Sequence, residues 1–115
     1  FQILFYPVIT MDTTFTHMGS RNNLLGKDVT PEIEELYSNE KQITPDTPRA
    51  IILFSDDDGA VPPANGAQYY LGLKKHNIPA SLYIYPSGGH GWGIRDNFKY
   101  HDEMIANLRS WLASF

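Results

Sequence analysis

Cysteine is absent from the chain, which excludes disulfides, thiolate nucleophiles and cysteine-ligated zinc together. Redox compartment therefore leaves no mark on the composition. Basic residues are also few: 9 Lys and Arg against 13 Asp and Glu give a formal net charge of −4 and a pI near 5.4. With no run of Lys or Arg, neither nucleic acid nor an anionic membrane surface is expected as a partner. No apolar run approaches the roughly 20 residues of a membrane-crossing helix, and localisation stays open. Internal repeats and low-complexity tracts are lacking too. His17, His76, His90 and His101 show neither an H-x-x-x-H spacing nor a His-Glu helix pattern, so no metal is expected. Gly88, Gly89, Gly91 and Gly93 fit neither the dinucleotide fingerprint nor the P-loop, so no cofactor is expected.

What is present reads as one domain at most, since 115 residues bury only a modest core. The chain opens without methionine in FQILFYPVIT, a β-branched apolar run of the kind buried on both faces of a parallel sheet. At a sheet edge such a strand exposes unpaired N–H and C=O groups. A preceding segment is therefore expected, with self-association or pairing to that segment as the consequence. Met11 to Gly26 is polar, without a steady period, and reads as an irregular excursion. Thr30 as N-cap and Pro31 at the first helical position then start a short helix ending near Ser38 to Glu40.

Two further strands follow, Arg49 to Phe54 and Ser81 to Tyr85, each leading through a loop to a helix. The helices are expected at about Pro63 to His76 and about Asn97 to Ser114. In the last one Tyr100, Met104, Ile105, Leu108, Trp111 and Leu112 form one apolar stripe. Strands alternating with helices imply an α/β fold: a three-layer, mostly parallel sheet with flanking helices.

Chemistry gathers in the two loops. Neighbouring parallel strands lie roughly 5 Å apart, and open α/β sheets carry their sites at the strands' carboxyl ends. One loop holds Asp56, Asp57 and Asp58, the other His90 in PSGGHGWG. An imidazole oriented through one nitrogen by a carboxylate keeps the other free to take a proton. Any of the three aspartates is a candidate partner, against the alternative of an aspartate-rich turn bonded to its own backbone. Trp92 presents a large apolar face and is a candidate wall for an acyl or sugar pocket, against the alternative of a structural role. His17 and Arg21 lie in the irregular segment and are read as solvent-exposed.

These motifs resemble the carboxyl-terminal part of an α/β-hydrolase-fold esterase, in particular the acetylxylan esterases and xylanase-associated lipases and esterases. The resemblance spans Phe1 to Phe115, as the last three strands of that fold, with about 11–48 as a short cap-like segment of a partial domain. It implies a catalytic aspartate in D-x-x-V-P, matched by Asp58 in Asp58-Gly59-Ala60-Val61-Pro62. It also implies a catalytic histidine in Gly-His-Gly, matched by His90, whereas Asp56 and Asp57 fall outside the motif. The implied activity is hydrolysis of a small-molecule or carbohydrate ester through an acyl-serine, without a cofactor. The chain departs from the family in one respect: no serine stands in a G-x-S-x-G setting and no oxyanion loop is seen. The chain alone is therefore expected to be inactive. The rival reading is a non-catalytic, truncated α/β module that associates through its first strand.

Overall fold

The computed structural model describes residues 1–115. Strands β1 (Gln2–Phe5), β2 (Ala50–Ser55) and β3 (Ala80–Tyr85) form one sheet in the order β1-β2-β3. All pairings are parallel, with Gln2 opposite Ala50 and Ala50 opposite Ala80. Helices α1 (Met18–Leu25) and α2 (Pro31–Tyr37), with a 3-10 turn over Asn39–Lys41, lie between β1 and β2. Helix α3 (Ala64–Lys75) joins β2 to β3, and α4 (His101–Leu112) closes the chain.

The alternation of β2 builds the layers. Every residue of β2 is buried. Ala50, Ile52 and Phe54 face a core completed by Tyr69 and Leu73 of α3, with Ile9, Ile43, Val61 and Ile78. Ile51 and Leu53 face the opposite side, against Met104, Leu108 and Trp111 of α4 and the aromatic rings of Tyr85, Trp92 and Phe98. Full burial of side chains of this size contributes roughly 1.5–3 kcal/mol each, so β2 is the anchor of both layers. The α/β class and the three parallel strands agree with the sequence reading.

Three local expectations need correction. The first strand covers Gln2–Phe5 only, and all of its residues are half-buried rather than buried, because it has a neighbour on one side alone. The segment read as irregular contains α1, whose sequence MGSRNNLL has no apolar stripe and buries no side chain. That helix is started by His17, whose ring Nδ1 accepts from Ser20 N–H at 3.2 Å. The last helix begins at His101 rather than near Asn97, because successive turns (Trp92 to Arg95, Arg95 to Phe98, Phe98 to His101) occupy that stretch. By contrast α2 starts as the sequence implies, with Thr30 Oγ1 accepting from Ile33 N–H.

Candidate active site

β2 and β3 deliver their loops to the same end of the sheet. The ladder continues one step past β2, where Asp56 N–H donates to Tyr85 O at 2.8 Å, and Asp58 N–H then turns back to Ser55 O. Asp58 Oδ1 accepts from the N–H groups of Ala60 and Val61, both at 2.9 Å. This side-chain turn explains the spacing D-G-A-V: the carboxylate organises the three residues that follow it before Pro62 and Pro63 lead into α3. The Asp58 side chain is fully shielded from solvent, and its second oxygen, Oδ2, lies 2.9 Å from His90 Nδ1.

A carboxylate only accepts, so the imidazole proton sits on Nδ1, and Nε2 is left with its lone pair. The His90 side chain is 38% exposed, and Nε2 has no hydrogen-bond partner within the chain. Three donors thus surround the two Asp58 oxygens, and in the neutral ring Nε2 carries the free lone pair. Such a dyad can take a proton from a hydroxyl or a water and return it to a leaving group.

The loop carrying His90 is built on glycine. Gly88, Gly89, Gly91 and Gly93 all have positive φ. At Gly88 glycine is required twice over: φ is 138°, and a Cβ would stand 2.5 Å from the Phe98 ring and 2.9 Å from Ser55 Oγ. Contacts from outside hold the loop in place. Asp57 Oδ1 accepts from Gly89 N–H at 2.8 Å, and that bond holds the exposed Asp57 carboxyl below the usual carboxylate range. Tyr6 Oη accepts from Gly93 N–H at 3.1 Å. Trp92 Nε1 donates to Ser55 Oγ at 2.8 Å and to Gly89 O at 3.2 Å.

The structure therefore brings Asp58 to His90, and leaves Asp56 exposed at the loop surface. Trp92 is 5% exposed, with its face stacked on Phe98 at 4.1 Å between centroids. It is among the residues lining an open depression of about 350 Å³ that also includes Gly88, His90, Arg95 and Lys99. His17 and Arg21 are engaged within their own segment, Arg21 in an ion pair of 2.9 Å with Glu34. Ser55 is fully buried. No three His, Asp or Glu side chains converge as metal ligands, and no helix is long and apolar enough to cross a membrane. Sequence reasoning missed Tyr6, which looked like the middle of a longer strand. The signal available was the Tyr-Pro step, since proline restricts the residue before it.

The profile of the prolyl oligopeptidase family matches residues 3–114. The acetylxylan esterase of Xylanibacter ruminicola is 43% identical over 118 aligned residues, which cover 99% of this chain and 25% of the esterase. Endo-1,4-beta-xylanase B of Butyrivibrio fibrisolvens is 38% identical over 95 residues, 83% of this chain and 15% of the xylanase. Among solved structures, the acetyl ester-xyloside bifunctional hydrolase from Caldicellulosiruptor lactoaceticus matches with a TM-score of 0.91 at 33% identity, over 97% of this chain and 41% of that one. The chain thus spans a quarter of the length of the acetylxylan esterase it matches.

Proposed function

The chain belongs to the prolyl oligopeptidase family of α/β hydrolases, and from that premise we propose that it carries the acid and base of a serine carboxylic-ester hydrolase acting on acetylated carbohydrate. It forms the carboxyl-terminal part of the catalytic domain, with residues 11–48 as a short cap. The nucleophilic serine and the oxyanion donors come from outside these 115 residues. The observation that carries the reading is the 2.9 Å contact between His90 Nδ1 and the shielded Asp58 carboxylate, in a chain similar to an acetylxylan esterase.

In this reaction His90 Nε2 takes the serine hydroxyl proton as the serine oxygen attacks the ester carbonyl. Asp58 holds the imidazole in the required tautomer and stabilises the imidazolium. The proton then passes to the alcohol oxygen of the sugar as that bond breaks, leaving an acyl-serine. A water, deprotonated by His90 in turn, attacks the acyl carbonyl and releases the carboxylic acid and the serine. Trp92, two residues after His90 in the same loop, lines the acyl or sugar side of the site.

The test is release of acetate from acetylated xylan by the complete protein. His90→Ala should lower kcat by roughly a thousandfold or more. A His90→Ala enzyme within tenfold of the unaltered protein would refute the assignment. The isolated 115-residue chain should give no hydrolysis above background.

A second reading rests on β1, whose outer edge is unpaired and whose residues are half-exposed. On this reading the chain is a non-catalytic module that associates through that edge. Light scattering on the isolated chain tests the edge, since a dimer or larger species supports association through β1 and a stable monomer removes it; loss of acetate release in His90→Ala of the complete protein then excludes the non-catalytic reading.

A further inference from the structure

We propose that Tyr6 is a positioning residue for His90, holding both the imidazole and the loop that carries it; this rests on the ester-hydrolase reading above. The peptide N–H of Tyr6 donates to Leu53 O at 2.7 Å, so residue 6 is still in register with β2. At that point the chain departs from the strand with φ of +37°. A bulky side chain seldom adopts a left-handed backbone, and Pro7 further restricts the residue before it towards extended conformations. Conformations of this kind persist where the surroundings over-determine them, and they cluster at functional sites.

The consequence of the turn is where the ring goes. The Tyr6 ring lies 4.3 Å from the His90 imidazole between centroids, at 56°. It meets Trp92 edge-on at 5.2 Å, so it is wedged between the imidazole and the aromatic core. Its hydroxyl accepts from Gly93 N–H at 3.1 Å. Asp57 holds Gly89, one residue before His90, and Tyr6 holds Gly93, three residues after it. A segment with glycine at 88, 89, 91 and 93 has more conformational freedom to lose than any other composition. His90 is therefore bracketed, and one of the two brackets is the phenol of Tyr6.

Packing alone would need the ring and not the hydroxyl, so Tyr6→Phe separates the two roles. In the complete protein Tyr6→Phe should stay folded, with a melting temperature lowered by only a few degrees, and should keep its KM for an acetyl ester. Its kcat should fall roughly three- to tenfold, with faster hydrogen–deuterium exchange over residues 88–94 read by mass spectrometry. Tyr6→Leu, which also removes the ring beside the imidazole, should lower kcat roughly 10- to 100-fold, as misplacement of about 1 Å does. A folded Tyr6→Phe protein with unchanged kcat and unchanged loop exchange overturns the proposal, as does a loss falling on KM alone. Should Tyr6→Leu not fold, Tyr6→Phe carries the test. Failure of the ester-hydrolase reading shows differently, as His90→Ala hydrolysing as fast as the unaltered protein. Loop exchange in Tyr6→Phe then still decides whether Tyr6 holds the His90 loop.

Discussion

Replacing Asp58 by asparagine should abolish base catalysis while leaving the fold intact, and the hydrogen bonds say why. Asp58 Oδ1 accepts from two backbone N–H groups and Oδ2 faces His90 Nδ1. Asparagine has one acceptor oxygen. If that oxygen keeps Ala60 and Val61, the amide NH2 is turned towards His90 Nδ1 and donor meets donor. The imidazole escapes by moving its proton to Nε2, which removes the lone pair that must take the serine proton. A wrong tautomer of this kind lowers kcat by about 10⁴, equivalent to about 5 kcal/mol of barrier. Stability should fall by only about 1 kcal/mol, because the turn is still capped. Asp58→Ala separates the two effects, since it leaves both backbone N–H groups without their acceptor. At roughly 1–3 kcal/mol for each unsatisfied group, it should lose about 2–6 kcal/mol. The assays are acetate release by the complete protein and urea unfolding of each variant. Asp58→Asn within tenfold of full activity, or equal destabilisation by the two variants, would refute the reasoning.

Three other outcomes follow from the same geometry. Asn65 is fully buried, accepts from Ile9 and Thr10 N–H and donates to Phe15 and Pro62 carbonyls. Asn65→Leu should therefore destabilise by about 3 kcal/mol or more, read by urea unfolding. Gly88→Ala drives a methyl into Phe98 and Ser55 at a positive φ. It should lower both stability, by roughly 1–3 kcal/mol of overpacking, and kcat, since His90 lies two residues on. Asp57 is held below the usual carboxylate range by Gly89 N–H, a depressed value. Its hold on the loop is thus complete above the ordinary carboxylate range and is lost as pH falls through the lowered one. Gly89 amide exchange followed against pH in the acid range should show that step, and Asp57→Ala should lack it.

How legible these features were depended on whether a residue's partner was local. β2 and β3 were readable because apolar runs end at turn residues. That a loop aspartate could lie beside His90 was readable because parallel neighbours deliver their loops together, whereas the choice of Asp58 among the three came only from the resemblance. Helix α1 was not, since MGSRNNLL carries no apolar period and the helix starts on a histidine ring, outside the usual N-cap set. Residues Tyr6 and Ser55 were not, because their partners Gly93 and Trp92 lie 87 and 37 positions away. For Trp92 the sequence pointed to a large free face, which the structure gives to Phe98. A side chain that works through a distant backbone amide leaves no periodicity and no local spacing to read.

The two members of the dyad are held by opposite physical means. Asp58 follows a strand on which every residue is buried, and its carboxylate is satisfied by three donors. In the proposed reaction it has only to orient its partner, and shielding from solvent keeps water from competing for Oδ2. On the proposed reading His90 exchanges a proton with something outside the chain, and its side chain is accordingly 38% exposed. It sits instead on glycines, where close-packed side chains cannot fix it. Its precision is borrowed from β1 through Tyr6, from the β2 loop through Asp57, and from the core through Trp92. A base that moved with the mobility intrinsic to its own loop would spend little time within reach of a nucleophile. Two distant side chains, Tyr6 and Asp57, converge on the short loop, and the loop's own Trp92 is tied to Ser55.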